Sequence, residues 1–263
     1  MSDATSHLGR LSDHDRILPI IELYPAIQAE GSRAGHPTII IRTTGCTHRC
    51  HFAEGGWCDT WYSSIHPEKG RYTFNAIKQM YADKPHIREM MITGGSPTMH
   101  PVLINELTHF ARQQQLYVTL ETEGSHYVET DYPIDLISIS PKLANSVPDV
   151  GLITPQGAVV DQRMIKQHHR YRMNQTAMAA LMAYHTDYQI KPVLDAELSV
   201  VAELEALLQA LQIPDEKVWL MPAGDNREAL SRSYGPVMNC ARDRGWRFTS
   251  RPQIMAFDTE RGV

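Results

Sequence analysis

A chain of 263 residues, 42% hydrophobic and 21% charged, is long enough for a sizeable core and suits one large domain or two small ones. The formal net charge of −5 leaves no broad basic surface, which argues against direct binding of nucleic acid or of an anionic membrane. No apolar run approaches the roughly 20 residues that a membrane-spanning helix needs.

The first residues are polar and do not contain the apolar segment of a secretory signal. We expect residues 1–17 to form a flexible leader and residues 18–263 to form a single domain, because no linker divides the remainder. The four cysteines are too few and too unevenly spaced for a disulfide framework. The sequence therefore indicates a reducing, cytoplasmic location.

Short apolar or β-branched runs alternate with longer helical segments along the chain. The predicted strands are Thr38–Ile41, Met90–Thr93, Leu116–Leu120, Ile134–Ile139, Tyr188–Val193 and Val218–Met221. The predicted helices are Pro101–Gln115, Met164–Tyr184, Val200–Leu211 and Asn226–Arg244, and an extended terminal segment is expected at Trp246–Phe257. This alternation predicts parallel strands joined by right-handed crossovers, in an α/β barrel or an open sheet.

Glycine and polar residues gather directly after four of the predicted strands. They are Cys46, Gly94-Gly95-Ser96-Pro97, Glu121-Thr122-Glu123-Gly124 and Ser140-Pro141-Lys142. Each segment alone would pass for an ordinary turn. Because ligands of parallel α/β folds bind at the carboxyl edge of the sheet, the four together predict a ligand-binding rim.

Three of the four cysteines, Cys46, Cys50 and Cys58, lie within thirteen positions. Three thiolates can hold a 4Fe–4S cluster and leave one iron open to a further ligand. Zinc is an alternative in which His48 or His51 completes the site, although structural zinc sites usually pair their ligands as two close doublets. Three reduced structural cysteines are the remaining interpretation.

An ordered set of motifs, from about Leu18 to the C-terminus, resembles the 7-carboxy-7-deazaguanine synthases of the radical S-adenosylmethionine (SAM) superfamily. The motifs are Gln28-Ala29-Glu30-Gly31, Gly35-His36-Pro37, Arg42, Gly45-Cys46, Trp57-Cys58-Asp59-Thr60, Thr93-Gly94-Gly95, Glu121-Thr122-x-Gly124, Ser140-Pro141-Lys142 and Arg261-Gly262-Val263. The conserved order makes the set far more specific than any single motif.

The resemblance implies an α/β fold of the incomplete triosephosphate-isomerase (TIM) barrel type and a carbon–nitrogen lyase reaction. SAM would chelate the open iron of the 4Fe–4S cluster, and an electron would cleave it to a 5′-deoxyadenosyl radical. That radical would take a hydrogen from 6-carboxy-5,6,7,8-tetrahydropterin. Ring contraction with loss of ammonia would then give 7-carboxy-7-deazaguanine, in queuosine-type 7-deazaguanine biosynthesis.

The resemblance also implies a role for each matching residue and a set of partners. Cluster ligands would be Cys46, Cys50 and Cys58; SAM-binding residues Gly94, Gly95, Ser96, Ser140 and Lys142; pterin-binding residues Gln28, Glu30, Gly31 and Arg42; and a Mg²⁺ neighbour Thr60. The enzyme would work as a homodimer and receive electrons from a flavodoxin-like reducing donor.

Three features depart from the usual pattern, and one of them is Ala29, which stands in place of a glycine in the family's Gln-Gly-Glu-Gly motif. Seven residues separate Cys50 from Cys58 where two are usual, although this family varies there. Ser96 stands where the family commonly places glutamate, in Gly-Gly-Glu-Pro. Serine can still form a hydrogen bond with the amino group of SAM, but it supplies no countercharge.

Two alternative functions follow from the same residues. One is a radical SAM activating enzyme that forms a glycyl radical on a protein partner. Glu30, Arg42 and Thr60 argue against it, because a protein substrate does not need a clamp for a pterin carboxylate. The other is a non-catalytic zinc-binding module.

Overall fold

The structure, a computed structural model, describes residues 15–53 and 55–263, so most of the predicted leader, residues 1–14, lies outside the described residues. The strands are β1 Ile20–Ile27, β2 Pro37–Thr43, β3 His51–Phe52, β4 Gly56–Trp57, β5 Glu89–Gly94, β6 Tyr117–Thr122, β7 Leu136–Ile139, β8 Tyr188–Ile190, β9 Val193–Leu194, β10 Trp219–Pro222 and β11 Arg247–Phe248. The helices are α1 Trp61–Ser64, α2 Phe74–Asp83, α3 Pro101–Gln114, α4 Gln162–Tyr171, α5 Gln175–Tyr184, α6 Val201–Ala210, α7 Arg227–Arg244 and α8 Pro252–Phe257.

Six of the described strands form the main sheet, in the spatial order β1-β2-β5-β6-β7-β8. β1 runs antiparallel to β2, and each later neighbour in the sheet pairs in parallel. The predicted α/β class with parallel pairing is thereby confirmed. A smaller parallel sheet, β11-β10-β9, continues beyond β8 through an isolated parallel bridge between Ile190 and Val218.

One apolar cluster joins the parallel strands to the helices that cover them. Its members include Ile39, Ile41, Met90, Ile92 and Leu120 from the strands and Ile77, Ile104, Leu107, Leu204 and Val237 from the helices. Strands covered in this way are apolar along most of their length, which is why short hydrophobic runs reveal them in the sequence. Within the described residues, no helix has both the length and the apolar character that crossing a bilayer demands.

The predicted helix Met164–Tyr184 is wrong in one respect, because the chain forms two helices there, α4 and α5. Met173 has a φ of +61°, a value outside any helix interior. The side chain of Asn174 then accepts a hydrogen bond from the backbone N–H of Ala177 over 3.2 Å. Asparagine in that position caps the amino end of a helix, so α5 begins anew.

Two other predicted segments are also divided. Pro192 has no backbone N–H to donate, and Tyr188–Val193 separates around it into β8, which pairs with β7, and β9, which pairs with β10. Trp246–Phe257, predicted to be extended, contains β11 but ends in helix α8. Pro252 occupies the first turn of α8, a position that needs no N–H donor.

Candidate active site

The carboxyl ends of the parallel strands open into one cavity, as the predicted rim requires. Most of the predicted site residues line it: Glu30, Arg42, Cys46, Cys50, Cys58, Thr60, Gly94, Gly95, Ser140 and Lys142. Arg42 lies in β2 and Gly94 ends β5, whereas the others follow β1, β2, β5 or β7, flank the β3–β4 hairpin or precede α1. Parallel pairing brings the carboxyl ends of β2, β5 and β7 to a common edge, and the segment after the antiparallel strand β1 adds Glu30 to the same cavity.

A short β-hairpin accounts for the seven residues between Cys50 and Cys58. β3 and β4 pair antiparallel, with His51 opposite Trp57. The backbone N–H of Cys58 donates to the carbonyl oxygen of Cys50 over 3.0 Å. β4 therefore folds back on β3, and the two cysteines remain neighbours across the base of the hairpin.

The three cysteines are free thiols. Burial raises the pKa of the Cys46 thiol, with smaller contributions from the charge of Glu123 and from Cys50. Burial is likewise the main cause that raises the pKa of Cys50 to about 12 and the pKa of Cys58 above its usual range. Because a coordinated metal ion deprotonates a thiol outright, this donor set suits a metal centre that supplies the missing positive charge.

Within the described residues, no three His, Cys, Asp or Glu side chains are placed to share a single metal ion. Zinc requires ligands that converge on one ion. Of the histidines considered for that role, His51 packs its ring against Trp57, and His48 has Nδ1 3.1 Å from Thr47 Oγ1 and a buried Nε2 without a hydrogen-bond partner. In a 4Fe–4S cluster each thiolate binds a different iron, so separated thiols suit a cluster better than zinc.

A buried network of charges forms one wall of the cavity. Lys191, only 2% exposed, donates to Glu30 Oε2 over 2.5 Å and to Glu121 Oε1 over 2.6 Å. Gln253 Nε2 donates to Glu30 Oε1 over 2.7 Å, and Arg251 Nε lies 3.3 Å from the same oxygen. Burial alone would raise the pKa of Glu30, but Lys191 and Arg251 overcome it and lower the pKa to about 2.

Arg251 extends this network to the segment that carries the cysteines. Its guanidinium donates to Asp59 and to the carbonyl oxygen of Gly224. Burial would lower the pKa of Arg251, whereas the charges of Asp59 and Glu30 raise it above its usual range. The side chain therefore stays cationic and ties Glu30 to Asp59.

Arg42 is the second buried cation of the cavity. Its Nε donates to Glu22 Oε2 over 2.6 Å, and the Tyr62 hydroxyl lies 3.2 Å from the same oxygen. Burial would lower the pKa of Arg42, but Tyr62, Tyr24 and Glu22 raise it above its usual range. The guanidinium therefore stays positively charged although it is buried.

Gly94 and Gly95 line the cavity at the end of β5. A Cβ at Gly94 would lie 2.3 Å from Thr43 Oγ1, and one at Gly95 would lie 2.3 Å from the carbonyl oxygen of Gly45. Packing of β5 against the segment after β2 therefore requires both glycines, a reason that comes in addition to the close ligand approach predicted from the sequence. After β7, Lys142 Nζ donates to Ser140 Oγ over 3.0 Å and both residues line the same cavity.

Three predicted site residues do not line the cavity. Gln28 is buried, and neither polar atom of its side-chain amide has a hydrogen-bond partner. Gly31 has a φ of +72°, and a Cβ there would lie 2.2 Å from Gln189 Nε2. Ser96 is fully buried and donates from Oγ to Glu123 Oε1 over 2.6 Å.

Thr60 lies on the cavity wall beside the last cysteine. Its Oγ1 is 3.3 Å from Cys58 Sγ, and its carbonyl oxygen accepts from Ser63 Oγ over 2.7 Å. The carbonyl oxygen of Thr60 therefore accepts a hydrogen bond at the start of α1, and its hydroxyl oxygen is the atom that faces Cys58.

Five charged residues of the cavity are not among the predicted site residues: Asp59, Glu121, Glu123, Lys191 and Arg251. Glu121 and Glu123 stand two positions apart at the end of a strand, and this spacing places both side chains on one face. Lys191 follows β8 in the same manner. Arg251 carries no such signal, because its segment is predicted to be extended.

Comparisons with known proteins agree on one relationship. A 7-carboxy-7-deazaguanine synthase of Halobacterium salinarum is 33% identical over 263 residues, which cover 97% of this chain and 96% of the relative. A synthase of the same name from Rhodopirellula baltica is 32% identical over 246 residues, covering 94% and 89%. The crystal structure of QueE from Escherichia coli resembles this fold with a TM-score of 0.57 and 21% identity, over 88% of this chain and 92% of that one. No family model matches the chain.

Proposed function

Because the chain belongs to the 7-carboxy-7-deazaguanine synthase family, we propose that this enzyme makes 7-carboxy-7-deazaguanine from 6-carboxy-5,6,7,8-tetrahydropterin with loss of ammonia. The reaction would be that of a radical SAM carbon–nitrogen lyase in queuosine-type 7-deazaguanine biosynthesis. One observation carries the proposal. Three cysteines, a Gly-Gly turn and a buried network of charges line the same cavity.

Cys46, Cys50 and Cys58 would bind a 4Fe–4S cluster, and the adjacent wall would bind SAM. When bound, the cluster and SAM supply the one-electron chemistry that begins a radical reaction. The protein holds two of its cysteines together through the β3–β4 hairpin and keeps Cys50 away from water. Each buried thiol must release its proton as the metal binds, so higher pH would favour loading.

The SAM wall would comprise Gly94, Gly95, Ser140 and Lys142, which lie at the ends of β5 and β7. Glycines at the end of β5 leave the backbone open to a close ligand. Lys142, held by Ser140 Oγ, offers a positive charge to an anionic group. Ser96 would contribute to SAM binding from behind the cavity wall, because it does not line the cavity itself.

The pterin would bind against the charge network. Glu30 stays ionised and is held by three donors, so its carboxylate can accept hydrogen bonds from a ring edge in one fixed orientation. Arg42 would pair with the carboxylate of the substrate, because a guanidinium suits a carboxylate in both charge and shape. Gln28 and Gly31 flank Glu30 and would shape that wall from beneath.

Thr60 would contribute its hydroxyl oxygen to a Mg²⁺ ion beside the substrate carboxylate. Magnesium commonly keeps several waters and takes few protein oxygens, so one hydroxyl with a ligand carboxylate is a reasonable share of its shell. The position of Thr60 on the cavity wall supports this assignment.

The architecture suits the same proposal. Residues 18–263 would form a single domain in which the sheet curls into an incomplete TIM-type barrel. Its support is the continuation of the main sheet into β10 and β11 through the Ile190–Val218 bridge. The enzyme would work as a homodimer with a flavodoxin-like electron donor.

The proposal is tested by product analysis. The chain, reconstituted anaerobically with iron and sulfide, receives the pterin, SAM, Mg²⁺ and a chemical reductant, and mass spectrometry follows 7-carboxy-7-deazaguanine. We expect product from the unchanged chain and none from Cys58→Ala, which removes one cluster ligand. Cys240→Ala is the control, because Cys240 is buried in α7 within the apolar core. This variant should bind as much cluster iron as the unchanged chain and should form product.

Two outcomes would contradict the proposal. A colourless protein that retains zinc after reconstitution would instead support the zinc-binding module. A brown protein that cleaves SAM but leaves the pterin unchanged would direct attention to a protein substrate, as expected of an activating enzyme.

A further inference from the structure

Ser96 is paired with a carboxylate from the neighbouring strand. The serine lies in the Gly-Gly-Ser-Pro turn after β5 and is fully buried, and its hydroxyl donates to Glu123 Oε1 over 2.6 Å. Glu123 follows β6, which runs parallel to β5 and beside it. The turn therefore contributes no charged side chain to the cavity, but the Ser96 hydroxyl holds the carboxylate of Glu123, which follows β6.

Glu123 faces the cavity with one oxygen unused. The residue is 4% exposed and lines the cavity together with Cys46, Gly94 and Gly95. Its Oε2 is buried and has no hydrogen-bond partner. A buried carboxylate oxygen without a donor is unfavourable, because it loses water and gains nothing in return.

The other acidic residues among the described residues that line the cavity are already paired with cations. Glu30 and Glu121 bind Lys191, and Asp59 binds Arg251. Glu123, among the described acidic residues of the cavity, has no lysine or arginine partner. Its nearest basic group is His126, whose Nδ1 is 4.0 Å from Oε1. A cationic ligand entering beside the cysteines would meet Glu123 as its available countercharge.

We infer that Glu123 binds the α-ammonium group of SAM and that Ser96 orients it. The inference rests on the proposed function, which brings SAM to this wall. A zwitterionic amino acid group beside Cys46 needs an anion for its ammonium, and Glu123 Oε2 is the buried, unpartnered oxygen at that place. The negative charge expected at position 96 thus comes from position 123, and Ser96 becomes a positioning residue.

The test measures binding rather than turnover. Isothermal titration calorimetry on the full chain, reconstituted anaerobically, compares SAM with its desamino analogue, which lacks only the α-amino group. Glu123→Gln should raise the Kd for SAM about tenfold or more, since hydrogen bonds between charged groups carry free energies of that size. The Kd for the analogue should be the same for both proteins, because that ligand has no ammonium to lose.

A charge-exchange variant provides the rescue. Ser96→Glu combined with Glu123→Ser restores one carboxylate to the same pair of positions, and its Kd for SAM should return to within about threefold of the unchanged chain. If Glu123→Gln does not fold, Glu123→Asp replaces it. The aspartate side chain is shorter by one methylene, so its carboxylate lies farther from the ligand. We expect a smaller rise in the Kd for SAM than in Glu123→Gln and no change in the Kd for the analogue.

Results that overturn the inference are distinct from failure of the proposed function. An equal Kd for SAM in the unchanged chain and Glu123→Gln, or equal losses for both ligands, would reduce Glu123 to a structural role. Glu123-dependent preference for SAM without any 7-carboxy-7-deazaguanine would leave the inference standing and refute the function. Absence of SAM binding in the unchanged chain would overturn both.

Discussion

Lys191 shows how strongly a single side chain can depend on its neighbours. Its ammonium group is withdrawn from water between Glu30 and Glu121, and the two carboxylates raise its pKa above the usual range although burial acts in the opposite direction. A buried charge is tolerated only while its partners remain. Removing the lysine would leave two carboxylates close together without the cation between them.

We therefore expect Lys191→Met to destabilise the protein by roughly 3–5 kcal/mol, the usual result of breaking a buried ion pair. Lys217→Met is the matched control. Lys217 pairs with Asp187 at the surface, where such a pair contributes about 1 kcal/mol or less. Urea unfolding of the three proteins measures the difference, and equal losses for the two variants would show that burial does not govern the Lys191 pair.

Residue-level chemistry also explains which site residues the sequence predicts and which it does not. The three cysteines are predicted as a site because they lie close together in the sequence, and Glu30 and Arg42 are predicted because they match the motifs of the family. Arg251 is far along the chain from Glu30 and Asp59, and only the fold brings it to them. Its local sequence has no spacing or composition that distinguishes it from a surface arginine.

At the scale of elements, helix ends show the limits of periodicity. The sequence correctly predicts α3, from the proline in its first turn, and α6, from its apolar spacing, and it also predicts α7, but it does not show the break between α4 and α5. The deciding feature there is a hydrogen bond from Ala177 to the Asn174 side chain, and apolar spacing does not register such a bond. The antiparallel strand β1 and helix α2 are also absent from the prediction.

The carboxyl ends of α3 and α7 offer a direct comparison of one position in two helices. Both end with a residue in the left-handed region, Gln115 with a φ of +54° and Gly245 with a φ of +70°. Glycine adopts this conformation without strain, whereas a side chain costs about 1 kcal/mol there. Nothing lies within 4 Å of a Cβ built on Gly245, so its substitution tests the backbone alone.

Gly245→Ala should therefore lower the free energy of unfolding by about 1 kcal/mol, and Gln115→Gly should raise it by roughly 0.5–1 kcal/mol. Gly245→Asn, whose side chain tolerates the left-handed region better, should fall between Gly245→Ala and the unchanged chain. Thermal unfolding followed by circular dichroism would measure all three. Opposite signs are the essential result, and a loss of stability in Gln115→Gly would contradict this account of the two ends.

For the whole molecule, the site depends on topology more than on any local pattern. The cavity takes its walls from residues between Tyr24 and Val263, and parallel pairing aligns the carboxyl ends of β2, β5, β6, β7 and β8 at one edge. Alternating strands and helices are enough to predict that edge. The sequence does not show that Glu123 rather than Ser96 supplies the carboxylate, because the two residues are 27 positions apart. Only the pairing of β5 with β6 brings them together.

The stability of the whole molecule should fall as the pH decreases, and His185 provides a defined part of that fall. The ring is buried, accepts from the Ile134 backbone N–H at Nδ1 over 3.1 Å, and has Nε2 3.3 Å from the Val128 carbonyl oxygen. Burial lowers the pKa of His185 from 6.5 to about 4. Below pH 6.5 the unfolded chain binds a proton at His185 and the folded chain does not. The contribution of His185 to the free energy of unfolding is therefore complete above pH 6.5 and is lost as the pH falls through that range.

The loss from this one histidine should occur between about pH 6.5 and pH 4 and amount to about 3 kcal/mol at most. Glu30, whose pKa is lowered to about 2, adds a second loss that begins only below its unfolded value of 4.5. His185→Gln separates the two, since its amide can occupy the buried position but does not titrate. Urea unfolding at a series of pH values should show a flatter profile for His185→Gln between pH 6.5 and 4.5, and a fall below 4.5 that it shares with the unchanged chain. Parallel profiles over the upper range would show that the folded protein accepts a proton at His185 as readily as the unfolded chain does.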